Sequence, residues 1–357
     1  MQRNKMTLLA APILALAVAG AAVAAYAGEL PKTRIKVIGY FSNLAQTKLV
    51  EKPFFTKQLE KDSNGRVTVD YNNMDVLGIN DFQILHMTQL GVTDFATTDI
   101  SKMAGEDPVF EGCDLAGITS DIETARKACD AWRPIMAEHM KAKFQTRLMS
   151  LAPNPPIVFW CRNKITSIRD LKGKKVRVFN KTQADFVSAV GGETVTMPFP
   201  SVVPALQRGV VDCALTGSLS GNTAGWPEVS KYLLPLTVGW SIQYEGANIK
   251  SWNKWSPPLQ EFFTKEFAKL QDDMWNIGAE ATRQGVNCNT GNGKCTLGKK
   301  GHMTLVKITP ADQALKKKLV QDVVLVKWGK RCGKSCAEKW NETVGKVVGL
   351  KIPLDKL

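Results

Sequence analysis

The residue best suited to bind a ligand in this sequence is an arginine inside a short apolar strand. The run LKGKKVRVF places Arg177 between Val176 and Val178. Because side chains alternate along a strand, the two valines face one side and Arg177 faces the other. Arginine presents a planar fork that matches a carboxylate, and α/β sheets bind ligands at their strand ends. Arg177 is therefore a candidate carboxylate-binding residue, with a surface arginine as the alternative.

The sequence contains partial matches to catalytic motifs, but each lacks a residue or a spacing that the chemistry requires. The run GSLSG has Leu219 where a nucleophile elbow requires serine, and the run GNGK lacks the spacing of a phosphate-binding loop. The three histidines, His86, His139 and His302, form no His-Glu-x-x-His unit. We therefore predict that the protein is not an enzyme and has no catalytic residue, no cofactor and no metal ligand.

Eight cysteines are an even number that suits disulfide bonding in an exported chain. Two pairs are close in sequence, Cys288 with Cys295 and Cys332 with Cys336, and we expect each to form a bond. A zinc site is the alternative for the second pair, although two thiols without a nearby histidine fall short of four ligands. Spacing leaves the pairing of the other four open: Cys113, Cys129, Cys161 and Cys213.

The first 27 residues have the composition of a signal peptide. Arg3 and Lys5 precede an uncharged stretch over 6–25, and Ala25-Tyr26-Ala27 offers small residues for cleavage. A membrane anchor is the alternative, but Pro12 and many alanines weaken its hydrophobicity. We predict a cleaved signal peptide over 1–27 and a soluble protein in the periplasm.

The formal charge of +14 is concentrated near the end, because residues 298–357 hold 14 Lys or Arg against 5 Asp or Glu. Export and the lack of a nucleic-acid-binding motif argue against nucleic acid as a partner. The basic region is then either a solvated face or a docking patch for an acidic partner. The 330 residues after the signal peptide exceed what one core usually serves, so we expect two domains.

Alternating strand and helix patterns predict an α/β fold with parallel sheets. In the first half we expect strands at 34–40, 66–71 and 93–96 and helices at about 46–62 and 80–90. The pattern restarts after residue 153, with strands at 157–161, 175–179, 195–199 and 210–215 and helices at about 183–190 and before Gly209. A helix over 257–285, with apolar residues at helical spacing, is long enough to brace both domains.

The order of these segments resembles the substrate-binding subunit of tripartite ATP-independent periplasmic (TRAP) transporters of the DctP type. The resemblance covers about residues 34–285 and is weak over the last 70 residues. It rests on these segments in this order: SNGRVTVDY, Leu77-Gly78, MTQLGVTDFA, SIRDLKGKKVRVF, MPFPSVVPALQRGVVDCA and WPEVSKYLLPLT.

The resemblance implies a two-lobed α/β periplasmic binding protein fold that closes on an organic acid anion in a cleft between the lobes. It assigns residues 28–153 plus about 244–282 to lobe I, and 154–243 plus about 283–357 to lobe II. Arg177 corresponds to the family's carboxylate-binding arginine, Phe199 to a pocket wall, and Asp99 to a polar contact from the first lobe.

Two positions depart from the family pattern. Thr216 stands where asparagine is common and can still donate a hydrogen bond, whereas Ile157 stands where some members have a second arginine. A dicarboxylate ligand is therefore disfavoured. The neighbouring aromatic residues divide between core and pocket wall, and the ones we expect near the ligand are Phe41, Trp160, Phe179, Phe199 and Trp226.

The predicted function is capture of an organic acid, a monocarboxylate with an apolar or aromatic body, and its delivery to the TRAP membrane permease. We expect the protein to act as a monomer. The alternative is a periplasmic sensor that presents its bound ligand to a signalling receptor.

Overall fold

The structure is a computed structural model that describes residues 30–357, so the predicted signal peptide at 1–27 lies outside the described residues. Two β-sheets organise the chain. Sheet I has the strand order β2-β1-β3-β10-β4, and sheet II has the order β11-β9-β5-β8-β6-β7. The strands are β1 (Thr33–Gly39), β2 (Val67–Asn73), β3 (Phe95–Asp99), β4 (Thr146–Ala152), β5 (Ile157–Cys161), β6 (Lys175–Val178), β7 (Glu193–Thr196), β8 (Cys213–Gly217), β9 (Tyr232–Leu234), β10 (Gln243–Asn248) and β11 (Thr304–Leu305).

Helices cover the sheets, and we call each sheet with its helices a lobe, lobe I for sheet I and lobe II for sheet II. A helical stretch before β2 consists of π-helical turns at Thr47–Glu51 and Phe54–Gln58 followed by α1. The α-helices are α1 (Leu59–Asp62), α2 (Ile84–Gln89), α3 (Ile122–Phe144), α4 (Lys181–Val190), α5 (Val202–Arg208), α6 (Ser218–Thr223), α7 (Ile249–Lys254), α8 (Pro257–Thr290), α9 (Pro310–Leu319), α10 (Leu325–Cys332), α11 (Lys334–Glu342) and α12 (Val344–Val348).

The expectation of parallel sheets is wrong in part, because both sheets are mixed. Strand β1 pairs in parallel with β2 and β3, as the alternating pattern predicts. Strand β10, however, lies antiparallel between β3 and β4, and β5 is antiparallel to β8 and β9. Alternation along the chain does not reveal that β10 returns to sheet I after the chain has built most of sheet II.

The chain passes between the lobes three times, along α8 and through two short segments, 153–156 and 235–242, which we call the crossing segments. Hydrogen bonds join the crossing segments and the start of β5. The N–H of Ile157 donates to the carbonyl of Gly239 at 2.8 Å, and the N–H of Asn154 donates to the carbonyl of Trp240 at 2.9 Å. The carboxylate of Asp114 also accepts the N–H groups of Trp240 and Ser241. These two segments are therefore held together by backbone hydrogen bonds and by the carboxylate of Asp114.

Helix α8 contacts both lobes, as its predicted length suggests. On lobe I, Trp275 donates from Nε1 to the carbonyl of Leu151 at 2.8 Å. On lobe II, a Cβ added to Gly285 would lie 2.1 Å from Oγ of Ser218, so glycine permits a close approach of α6. The prediction that the helix ends at Gly285 is wrong, because it continues to Thr290.

Helix α3 (Ile122–Phe144) is 23 residues long and was not predicted from the sequence. Asp121 caps its first turn, and Pro134 lies inside it, where proline normally breaks a helical pattern. The C-terminal helices pack near this helix through buried tryptophans: Trp328 donates to the carbonyl of Pro108 at 2.8 Å, and Trp340 to that of Gly112 at 2.6 Å.

All eight cysteines are paired in the structure, including the two pairs that sequence spacing favoured, Cys288–Cys295 and Cys332–Cys336. The four whose partners were open form Cys113–Cys129 and Cys161–Cys213. The bond between Cys161 and Cys213 joins residues that are directly opposite on β5 and β8.

Candidate functional site

A small cavity lies between the lobes where strands of both sheets end. The space between its lining residues, part of it open to solvent, is about 340 Å³. The part of the chain that the structure describes contributes residues from lobe I, from lobe II and from both crossing segments: Tyr40, Phe41, Leu44, Asp81, Lys102, Asn154, Arg177, Phe179, Phe199, Thr216, Gly217, Ser220 and Ser241.

Arg177 is held rigidly in this cavity. Its side chain is buried, and its Nε and Nη2 donate to the carbonyl of Met197 at 3.1 and 3.0 Å, while Nη1 donates to the carbonyl of Leu215 at 2.8 Å. A guanidinium has five N–H groups, so one remains on each terminal nitrogen after these three bonds. Burial lowers the pKa of Arg177 to about 10, so the group is still a cation at neutral pH.

The aromatic residues form one wall. Phe41 from lobe I contacts Phe199 from lobe II with ring centroids 5.1 Å apart, and Phe179 lies 5.0 Å from the guanidinium carbon of Arg177. Trp226 stacks on Phe199 at 5.7 Å, and Trp160 packs edge-on against Trp226 at 5.7 Å. Both tryptophans are buried and do not line the cavity, so the structure places them behind Phe199 as its support.

The two remaining sequence-predicted site residues lie in different surroundings. Thr216, on β8, lines the cavity. Asp99, at the end of β3, is fully buried behind it and accepts hydrogen bonds from the N–H and Oγ of Ser101 and from Oγ of Ser241. Burial raises the pKa of Asp99, while Lys102 opposes that shift. Asp99 therefore orients Ser241, which does line the cavity.

A second cation, which the sequence analysis missed, lies beside Arg177. Nζ of Lys102 is 2.7 Å from Oδ2 of Asp81, and both side chains are almost completely buried. Lys102 also lies over the ring of Phe179 at 4.8 Å, so the two cations contact the same aromatic ring. Asp81 lies in a turn and Lys102 in a short 3-10 helix after β3, 21 residues further along the chain. Charged residues in such segments resemble ordinary surface residues in a single sequence.

The crossing segments, the residue after β1 and helix α6 supply the other polar groups that were missed. Asn154 donates from Nδ2 to the carbonyl of Ser241 at 2.7 Å, which fixes the orientation of its amide. Tyr40 follows β1, and its backbone N–H donates to Oε1 of buried Glu51 at 2.8 Å. The run Asn-Pro-Pro at 154–156 could have indicated Asn154 as a site residue, because a rigid turn between two strands places its side chains at strand ends.

Residues 30–357 contain neither a cluster of metal-binding side chains nor a helix that could span a membrane. No group of three or more His, Cys, Asp or Glu side chains in this range could hold a metal ion. Likewise, no helix in this range is both long and apolar enough to cross a membrane.

Comparison with known proteins identifies the class of binding site. The sequence profile of the bacterial extracellular solute-binding protein family 7, DctP, matches residues 40–324. The chain belongs to this family. DctP proteins are solute-binding transport proteins and not enzymes, so the prediction of family and of a non-catalytic role is confirmed.

Relatives with solved structures confirm the two-lobed α/β fold of this DctP protein. A TRAP periplasmic solute-binding protein of Haemophilus influenzae with bound L-gulonate is 20% identical, covers 88% of this chain and 100% of its own, and has a TM-score of 0.77. An extracytoplasmic solute receptor of Bordetella pertussis that binds pyroglutamic acid is 19% identical, with coverage of 87% and 98% and a TM-score of 0.74. An uncharacterized protein of Haemophilus influenzae is 24% identical over 247 residues, 69% of this chain and 75% of its own.

Proposed function

We propose that this DctP protein is the periplasmic substrate-binding subunit of a TRAP transporter, and that it captures a small organic monocarboxylate and delivers it to the membrane permease. The observation that carries the proposal is the buried fork of Arg177, whose two remaining N–H groups match the two oxygens of one carboxylate. Known relatives bind organic acids, L-gulonate and pyroglutamic acid among them.

The charges around the cavity favour a single carboxylate. Of the two cations that line the cavity, Lys102 is paired with Asp81 at 2.7 Å, whereas Arg177 forms no ion pair with any residue of 30–357. Ile157, at the position of a second arginine in some family members, is buried in β5 and offers no charge. A second carboxylate would therefore enter a low-dielectric cavity without a free cation, which is costly.

The wall of Phe41 and Phe199 supports an apolar body on the ligand, because an apolar face buried there leaves water. Binding would proceed by closure: an open cleft admits the anion, Arg177 pairs with it, and the lobes close so that the ion pair is shielded from water. Phe41 and Phe199 come from different lobes and are in contact, as closure requires.

Thermal-shift measurements on the mature protein test the proposal with acids of equal chain length. Butyrate and succinate differ in a second carboxylate, and we expect the monocarboxylate member of this and similar pairs to raise the Tm more. A larger Tm increase with the dicarboxylates would contradict the single-carboxylate site. No shift with any carboxylate would contradict the proposed function itself.

A further inference from the structure

Asp81 lines the cavity and has a buried carboxylate oxygen without a hydrogen bond. Its Oδ2 accepts from Lys102, but its Oδ1 has no partner among residues 30–357, and the residue is 1% exposed. An unpaired carboxylate oxygen in a dry site costs free energy that a hydrogen-bond donor on the ligand would recover. Asp81 lines the same cavity as Arg177.

Asn154 presents a second acceptor of the same kind. Its Nδ2 donates to the carbonyl of Ser241 at 2.7 Å, which leaves Oδ1 as the other side of the amide. That oxygen is buried and, within the described part of the chain, has no partner. The cavity therefore offers two fixed acceptors in addition to the cation of Arg177.

The type of donor follows from the charges. Lys102 and Arg177 are both cations beside the ring of Phe179, at 4.8 and 5.0 Å. With the ligand bound, its carboxylate and that of Asp81 balance these two cations. An ammonium group on the ligand would therefore leave an unbalanced buried positive charge, whereas a hydroxyl or an amide N–H would add none. Neutral donors are thus favoured over charged ones.

We propose that the ligand is a monocarboxylate that carries a neutral hydrogen-bond donor, a hydroxyl or an amide N–H, close to its carboxylate, and that Asp81 and Asn154 bind this donor. The inference rests on the proposed function, since it assumes that Arg177 holds the carboxylate. It adds what the apolar wall alone does not determine, which is the polar group that distinguishes one small acid from another.

Two sets of near-isosteric acids test the inference by isothermal titration calorimetry on the mature protein. One set is lactate, alanine and propionate, and the other is pyroglutamate, proline and cyclopentanecarboxylate. Within each set the members carry, in this order, a neutral donor, an ammonium, or no donor. We expect the neutral-donor acid to bind about tenfold more tightly than the acid without a donor, and the ammonium acid to bind no better than the latter.

Variants assign the effect to Asp81. In Asp81→Asn the amide can present Nδ2 to the ligand, so the advantage of the neutral-donor acid should fall to within about twofold. The double variant Asp81→Asn with Lys102→Met removes both charges and should show the same loss, which separates hydrogen bonding from the release of Lys102. Asp130→Asn, at an exposed position, is the matched control and should keep the tenfold advantage.

The outcomes distinguish this inference from the function on which it rests. Equal binding of the three acids in each set, or tightest binding of the ammonium acid, would overturn the inference while leaving a carboxylate-binding protein. Failure of every carboxylate to bind would overturn the proposed function as well. An unchanged advantage in a folded Asp81→Asn variant would remove Asp81 from donor recognition.

Discussion

At the scale of single residues, burial determines how the charged groups near the cavity behave. Arg177 keeps its charge because three hydrogen bonds to backbone carbonyls replace water around it. Glu51 behaves in the opposite way: it is fully buried, and burial followed by the nearby Glu245 raises its pKa to about 8. Its Oε1 still accepts the N–H of Tyr40, so Glu51 positions a residue that lines the cavity.

The raised pKa of Glu51 predicts a pH-dependent gain from Glu51→Gln. The folded protein retains the proton of Glu51 up to a pH of about 8, whereas the unfolded chain loses it near 4.5. The free energy of unfolding therefore falls as pH rises through this window. Because glutamine is neutral, we expect Glu51→Gln to be more stable than the wild type at pH 8, by on the order of 2 kcal/mol, and to lose this advantage at pH 5.

Denaturant unfolding at both pH values measures the effect. Glu60→Gln, at an exposed position nine residues after Glu51, is the control, and its free energy of unfolding should differ little from that of the wild type. A Glu51→Gln advantage that is the same at pH 5 and pH 8 would mean that the carboxyl does not titrate between them.

Residue types near the cavity could be predicted only where a pattern marks them. Arg177 stands out because an arginine between valines in a strand must face away from the core or into a site. Asp81 and Lys102 do not stand out, because their ion pair depends on a turn and a 3-10 helix that meet only in the folded chain. Trp160 and Trp226 were predicted near the ligand because tryptophan is common both in pocket walls and in cores. Their position behind Phe199 depends on tertiary packing, which the sequence alone does not reveal.

At the scale of elements, the crossing segment 235–242 contains two residues with positive φ. Gly239 has φ of 138° and Ser241 has φ of 50°, and the carboxylate of Asp114 accepts N–H groups beside them. A Cβ on Gly239 would lie 3.2 Å from Oδ1 of Asp114 and 3.3 Å from Cδ1 of Ile157. Glycine is thus required here by both conformation and space.

We expect Gly239→Ala to lower the free energy of unfolding by about 1–3 kcal/mol. The reason is a strained φ together with crowding against Asp114. Gly105→Ala is the matched control, because no atom lies within 4 Å of its added Cβ, and it should change stability little. Chemical denaturation of both variants checks this, and equal stability would mean that the crossing segment adjusts without cost.

Most strands of the fold were predictable at this scale, because alternation marks β1, β2 and β6 and a short apolar run marks β5. Strands β4 and β10 were not predicted, and the place of β10 in sheet I depends on where the chain returns after the second lobe. Helix α3 was not predicted, and it contains Pro134 in its interior, where proline normally breaks a helical pattern. Gly285 was interpreted as a helix end, whereas it permits contact with Ser218.

At the scale of the whole molecule, the cavity exists only where the two lobes meet. Lobe I supplies Phe41, Asp81 and Lys102, and lobe II supplies Arg177 and Phe199. Helix α8 and the crossing segments hold the lobes together, while the C-terminal helices pack close to α3. Whether the basic residues of 298–357 form a solvated face or a docking patch stays a prediction, since it concerns a partner.

In the proposed function, Arg177 binds the ligand carboxylate as the lobes close over it. Isothermal titration calorimetry of the monocarboxylate that most raises the Tm tests this with Arg177→Lys, and Arg169→Lys at an exposed position of the same lobe is the control. We predict that Arg177→Lys weakens binding about tenfold or more, because lysine keeps the charge but loses the planar fork, while Arg169→Lys binds as the wild type does. Unchanged affinity in a folded Arg177→Lys protein would contradict the account.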